Sequence, residues 1–374
     1  MVLISLLGDD LSVLGPIINE YKDQIRHHIL IHDDAPDDVR RAKQFEKGLE
    51  RFIHSNRLKW DNNSIMLDED SKNDIVRVYH TLRAQYDGIF YLHSTEGFAS
   101  MALIFSNLIL SDGGKVITYD VHDNEQTIIE GTILTKAKLT SKLSVDDYLE
   151  LLNFTILDVQ RHPTLVERKQ EIMTLFKDYH AFLNLRNALS KQDPHFDYFR
   201  YEHLLEILYE LEIVNREYRL ITSEKMRLEG SLFEEYVYWI CAELGFDDIV
   251  LGAKIDLDQG NEPYQQNRIM NEFDILMTKN NRIHTIECKM VRHLDGLEFI
   301  YKYDGLIDIF GNGTRAVILN IANKEMNSYR GSKISENFRP SAIRRARMGD
   351  IEIYHDNLFN HVNFQFLIKA FFKA

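Results

Sequence analysis

Short apolar runs and longer amphipathic stretches alternate along the first 120 residues. VLISLL (2–7), HHILIH (27–32), SIML (64–67), GIFYLH (88–93) and KVITYD (115–120) have strand length, and the stretches near 12–24, 37–56, 71–86 and 97–110 carry helical spacing. Strands separated by helices of this length need crossover connections, which predicts a parallel sheet covered on both faces, an α/β, Rossmann-like domain. Ligands of such sheets gather beyond the carboxyl ends of the strands, which singles out GDDLS (8–12) and HSTEGFAS (93–100). Gly8, Asp9 and Ser12 lie in the first. In the second, Ser94, Thr95 and Gly97 precede a helix start, where hydroxyls and unpaired backbone N–H groups favour phosphate; a simple cap of the helix 97–110 is the other use of Ser94 or Thr95. No G-x-G-x-x-G and no G-x-x-x-x-G-K-[ST] occurs, so neither a dinucleotide nor a P-loop site has support.

From about 140 to 225 the pattern becomes helical. SVDDYLELLNFTILDVQ (144–160), HPTLVERKQEIMTLFKDYHAFLNLRNAL (162–189) and YEHLLEILYELEIV (201–214) all have helical spacing, with Ser144 and Asp146 or Asp147 resembling a cap and Pro163 opening the next helix. Helices of this kind connect two domains or form a dimer interface. The helix 201–211 with NREYRLIT (215–222) could form a small winged helix, but it is poor in Lys and Arg, which weighs against DNA reading.

The third section carries the chemistry. In RIHTIECKM (282–290), period two sends Thr285, Glu287 and Lys289 to one face and His284, Ile286, Cys288 and Met290 to the other. In NEFDILMT (271–278), Phe273, Ile275 and Met277 are expected on one side, Glu272 and Asp274 on the opposite side, and Asn280-Asn281 as a hairpin turn. Pairing with apolar faces aligned brings Asp274 next to Glu287. Two carboxylates on neighbouring strands suit a hard divalent cation, Mg²⁺ or Mn²⁺, and Lys289 on the same face can orient water and stabilise phosphate charge. An exposed ion-pairing face would give the same residue pattern.

The surrounding order narrows the choice. GSLFEEYVYWICAELGF (230–246) reads as a helix carrying Glu234 and Glu235, DDIVLGAKI (247–255) as a strand, YKYDGLIDIFGNG (301–313) as a helix ended by Gly311, and TRAVILNI (314–321) as a strand. Helix, strand, acid-bearing strand, E-x-K strand, helix, strand is the order of the PD-(D/E)XK nuclease core. The motifs G-x-x-φ-E-x-Y-V (230–237, φ a bulky apolar residue), N-E-F-D (271–274) and E-C-K (287–289), placed after a Rossmann-like half, resemble the CRISPR-associated nucleases that join an N-terminal CARF domain to a C-terminal PD-(D/E)XK domain. The resemblance implies a sensor of cyclic oligoadenylate at 1–135, a helical linker at 136–225 and a metal-dependent nuclease at 226–374. It implies Asp274 and Glu287 as metal ligands, Lys289 as the catalytic lysine, and Glu234 as the helix carboxylate, with Glu235 able to take its place by register. Tyr303 falls where polar helix residues commonly face such a site, with simple packing as its expected role. The sensor loop departs from the family's T-G-G-T-K-like pattern: Thr95-Glu96-Gly97-Phe98-Ala99 has an acid and lacks the lysine, which leaves the ring size open around a first expectation of cyclic tetra-adenylate.

Composition agrees with such an assembly. The 374 residues suit two or three domains, and 44% apolar with 27% charged residues is ordinary for a folded, soluble protein. The N-terminal MVLISLLGDDLSVLG lacks a basic n-region and reads as a buried strand rather than a signal peptide, and no apolar run has the length of a membrane helix. Two cysteines, Cys241 and Cys288, make neither a disulfide framework nor a zinc site, so a cytoplasmic location is expected. A net charge of −14 means that nucleic acid must be met by metal ions or a local basic patch, for which Arg339, Arg344, Arg345 and Arg347 are candidates. The expected protein is a homodimeric, effector-gated endonuclease cutting DNA or RNA. A nucleotide-sensing regulator that binds nucleic acid without cutting, and a stand-alone restriction or repair nuclease, are the alternatives.

Overall fold

The computed structural model describes residues 1–161, 165–257, 270–290, 296–321, 340–355 and 361–372. The N-terminal sheet has seven strands, β1 (Val2–Leu6), β2 (His27–Asp33), β3 (Asp61–Leu67), β4 (Phe90–His93), β5 (Lys115–Asp120), β6 (Glu125–Glu130) and β7 (Ile133–Lys138), in the order β3-β2-β1-β4-β5-β6-β7. Strands β1 to β5 are parallel. The last two add an antiparallel meander that the helix-spaced pattern did not predict. Helices α1 (Leu14–Tyr21) and α2 (Pro36–Ser55) cover one face, while α3 (Lys72–Gln85) and α4 (Ala99–Ser111) cover the other. Both faces of β1 are therefore apolar: Leu3 packs toward α1 and α2, and Val2, Ile4 and Leu6 pack toward α3 and α4.

The segment 144–160 is not one helix. Helix α5 (Val145–Leu151) is capped by Ser144, whose hydroxyl accepts from the Asp147 N–H at 3.0 Å, and it stops before Asn153, which takes the left-handed φ of +65°. Thr155–Gln160 then forms β8, an edge strand of the second sheet. Its helical spacing is overridden because a strand of β-branched residues can complete a ladder that only the fold provides. Helices α6 (Lys169–Leu175), α7 (Tyr179–Lys191) and α8 (Glu202–Glu210) follow, and an antiparallel bridge between Val214 and Leu220 gives a small wing after α8. Pro163 lies outside the described residues.

The second sheet adds β9 (Asp248–Asp256), β10 (Met270–Lys279), β11 (Arg282–Lys289), β12 (Arg315–Asn320) and β13 (Ile351–His355), in the order β13-β12-β11-β10-β9-β8. One face packs under α9 (Leu232–Ala242) and α12 (His361–Phe372) together with the middle helices. The other packs under α10 (Gly296–Phe310), with α11 (Pro340–Met348) beyond it, and here the two halves share one hydrophobic core. Phe310 touches Phe273 from its own sheet and Phe154 from the β8 segment. Polar bonds reinforce this junction: Asn281 accepts from the Leu143 N–H at 2.8 Å and donates to the Ser141 carbonyl at 3.0 Å, and Lys142 pairs with Asp247 at 2.6 Å. No helix among the described residues is long and apolar enough to cross a membrane.

Candidate active site

The E-x-K hairpin turns at Asn280 and Asn281, both with positive φ, as expected of a two-residue turn that matches strand twist. From Lys279 opposite Arg282, the ladder runs to Ile275 opposite Ile286. Asp274 and Glu287 are the next residues on the two strands, just past the last pair of the ladder. Glu287 and Lys289 project to the α10 face, whereas Ile286, Cys288 and Met290 enter the core under α9, as the alternation predicts. The alternation fails in β10: Phe273 joins the α10-side core, while Ile275 and Met277 join the other. The neighbouring strand changes phase at the same level, between Leu251 and Ala253, where Gly252 adopts φ +63°. A left-handed glycine kinks the pair beside Asp274, so that Phe273 and Asp274 serve the same side.

Four charged groups and one phenol converge there. Glu287 is 3% exposed; one carboxylate oxygen accepts from the hydroxyl of the fully buried Tyr303 and the other meets the Lys289 ammonium. Lys289 is also 3.6 Å from Asp274 Oδ2, which accepts from the Cys288 N–H at 2.7 Å. Burial, and then the Glu287 charge, push the Asp274 carboxyl up to about 6. Glu234, on the first turn of α9, is raised to about 8 by burial and then by Asp274. For Lys289, burial disfavours the ammonium, but Asp274 and Glu287 outweigh it and hold its pKa above the ordinary value. The choice between Glu234 and Glu235 is made by a side chain outside the domain: Glu235 is 2% exposed and pairs with Arg168 at 2.6 Å, whereas Glu234 faces Asp274. A π-helical turn, Arg227–Ser231, leads into α9 and sets this register. Tyr303 packs, as expected, and also donates to Glu287; the signal for that in the sequence is only its place on the helix after E-x-K. Arg186 on α7 donates to the Met290 carbonyl at 3.1 Å and holds the end of β11 next to Lys289.

Among the described residues, no three His, Cys, Asp or Glu side chains already stand close enough to hold an ion. The expected metal set Glu234, Asp274 and Glu287 nonetheless fits one chemically. All are hard oxygen donors, and burial followed by repulsion among them raises two of the three carboxyls, a penalty that a divalent cation would relieve.

The second candidate site lies where β1 and β4 are neighbours, the point at which strand order reverses. The loops 8–12 and 94–98 pack against each other there: a Cβ on Gly8 would overlap the Glu96 side chain and lie 2.8 Å from the Gly97 nitrogen. Gly97 has φ +93°, and a Cβ there would lie 2.7 Å from Leu6 Cβ. Asp9 pairs with Arg41 of α2 at 3.0 Å. Burial, then Asp10 and Asp9, raise the Glu96 carboxyl. Neither Ser94 nor Thr95 caps α4, which begins at Ala99 behind Phe98. Thr95 is tied into the sheet, accepting from the Tyr119 N–H at 2.7 Å. Ser12 turns away toward Gly311 of the other half.

The arginines are mostly engaged. Arg345 pairs with Asp304 at 2.9 Å and Arg347 with Glu352 at 3.3 Å, while Arg344 is exposed. Arg339 lies outside the described residues.

Residues 222–336 match the family model of the Card1-like endonuclease domain. The C-terminal half carries a Card1-like endonuclease domain. No curated protein matches the sequence. Among solved structures, protein VC1899 from Vibrio cholerae is similar over 100% of this chain and 98% of its own, at 16% identity and a TM-score of 0.76. Can2 from Sulfobacillus thermosulfidooxidans, solved in complex with cyclic tetra-adenylate, is similar over 100% and 99%, at 15% identity and a TM-score of 0.69. A type III CRISPR defence DNA nuclease activated by cyclic oligoadenylate covers 90% of this chain with 47% of its own, at 15% identity and a TM-score of 0.51. The chain thus shares an end-to-end fold with VC1899 and Can2, and Glu234, Asp274, Glu287 and Lys289 all lie within the segment that matches the Card1-like model.

Proposed function

We propose that this protein is a cyclic oligoadenylate-activated, divalent-metal-dependent endonuclease that hydrolyses phosphodiester bonds of DNA or RNA in type III CRISPR defence. The convergence of Asp274, Glu287, Lys289 and Glu234 within the Card1-like domain carries this reading. Asp274, Glu287 and Glu234 would hold Mg²⁺ or Mn²⁺, which when bound supplies charge stabilisation to the scissile phosphate and lowers the pKa of water. Lys289 is held cationic and fixed between the two acids, poised to orient water and to meet charge building on the phosphate. Burial under Tyr303 keeps Glu287 from swinging into solvent.

The effector reading rests on the switch point of the first sheet, where Gly8, Asp9, Ser94 and Gly97 surround the loop junction, with Ser12 and Thr95 as its inner supports. Cyclic tetra-adenylate is the first ring to test, since the like-folded Can2 was solved with it. Helix α4 beside this junction is apolar nearly all round, with Leu103 72% exposed and Phe98 at its start. A second copy of the chain covering this face would complete a two-fold pocket around a ring-shaped ligand, which supports a homodimer. The test is incubation of the purified protein with plasmid, single-stranded DNA and RNA, in Mg²⁺ or Mn²⁺, with and without each cyclic oligoadenylate. Cutting that needs both metal and one ring size is expected. Nucleic-acid binding without turnover under every condition would overturn the enzymatic reading.

A further inference from the structure

Helix α10 touches the nuclease site near its middle and the sensor loop just beyond its end. Tyr303 donates to Glu287. Seven residues on, the Phe310 carbonyl, which has no partner further along the helix, accepts from the buried Tyr148 hydroxyl at 2.8 Å. The next two residues rest on the loop after β1. The Asn312 N–H donates to Asp10 Oδ2 at 2.8 Å, and the other Asp10 oxygen accepts from the Ser12 N–H at 2.9 Å and the Ser12 hydroxyl at 2.6 Å. Gly311 has φ +96°, and a Cβ there would overlap Ser12 Oγ and lie 2.6 Å from Asp10 Oδ1. The contact is close enough that only glycine fits it. An α-helix rises about 1.5 Å per residue, so Tyr303 and this foot are roughly 10 Å apart on one stiff rod.

We propose that Tyr303 is a positioning residue for Glu287, and that α10, footed on Asp10 and Ser12, carries the state of the sensor loop to it. This rests on the reading of residues 8–12 as part of the effector pocket. The linker helices are the covalent route between the halves, yet the shorter physical route is this contact between residues 302 positions apart. A ring seated at the neighbouring Gly8–Gly97 junction shifts the 8–12 backbone, and with it the Asp10 carboxylate that accepts from the Ser12 N–H and hydroxyl. That shift draws the Asp10 carboxylate from its place under Asn312, and the helix that orients Glu287 loses its foot. The two arrangements of the foot are then the two states that effector binding biases.

The experiment uses the full-length protein, Mn²⁺ and the ring that activates the wild type, with cyclic tetra-adenylate first. Tyr303→Phe should weaken calorimetric Mn²⁺ binding about 10- to 100-fold, as loss of an outer partner to a metal-ligating carboxylate does, while cutting at saturating Mn²⁺ recovers toward wild type. A purely structural Tyr303 would lower stability and leave Mn²⁺ affinity unchanged, which overturns its positioning role. Gly311→Ala should cut the ratio of cleavage with ring to cleavage without it by at least about tenfold, measured at ring concentrations that calorimetry shows to saturate binding. Asp10→Asn, which keeps the side-chain shape and removes its charge, provides the same reading should Gly311→Ala not fold. A ring-gated wild type whose folded foot variants remain equally gated overturns this inference alone. A wild type that cuts equally with and without every ring overturns the functional reading, and this inference with it.

Discussion

Cation binding at the nuclease site should expel about one proton at neutral pH, and Glu234 should be its source. With its carboxyl pushed up to about 8, Glu234 is mostly protonated at pH 7, whereas Asp274, raised to about 6, is mostly ionised. A divalent ion takes the ionised carboxylates, so binding displaces about one proton from the pair. The assay is titration of Mn²⁺ into the protein in PIPES, HEPES and Tris at pH 7, where the slope of observed heat against buffer ionisation enthalpy counts released protons. Glu234→Gln should remove most of that release. Apparent affinity for the wild type should rise about tenfold per pH unit between pH 6 and 8, and more steeply below 6 as Asp274 also takes up a proton. The same groups act on stability in the opposite sense. Because both carboxyls have raised pKa values in the folded protein, their contribution is full below about pH 4 and is lost as pH climbs through about 6 for Asp274 and about 8 for Glu234; added Mn²⁺ should restore it. A slope of zero for the wild type, or an equal slope for Glu234→Gln, would refute the placement of Glu234 beside Asp274.

Glu287→Ala and Lys289→Ala should each lower cleavage by at least about 10²-fold and leave ring binding, read by calorimetry, unchanged; wild-type cutting by either variant would move the site elsewhere. Phe154→Ala removes a buried ring from the core common to both halves, and a loss of about 3–5 kcal/mol should appear as a lower urea midpoint for probes in both sheets alike. A shift confined to one sheet would contradict the shared core. A fragment of residues 222–374 lacks β8 and bares the sheet face that packs against α5, so it should show no cooperative thermal transition. A sharp transition in that fragment would make the nuclease half independent.

The local features of the fold were legible along the chain. Period two in NEFDILMT and RIHTIECKM with Asn280-Asn281 between them specifies the hairpin and its register, because a turn of two residues leaves the ladder one pairing, and that register brings Asp274 and Glu287 to the same end of the ladder. Apolar runs separated by helices likewise specify that β1 to β5 run parallel and single out the loops after β1 and β4, which the strand order then sets side by side. What lay beyond sequence reasoning is what depends on distant partners. TILDVQ is a strand because β9 offers it a free edge, and Phe273 leaves its alternation because Gly252 kinks the adjoining strand. Glu234 and not Glu235 faces the acids because Arg168, 67 residues upstream, takes Glu235. Tyr303 and the Asp10 foot become parts of one helix's contacts only when the two sheets close on a single core. Periodicity reports which side of an element is apolar, since burial acts on each residue by its own chemistry. Which carboxylate meets which cation is a property of pairs, and those pairs exist only after the chain has folded.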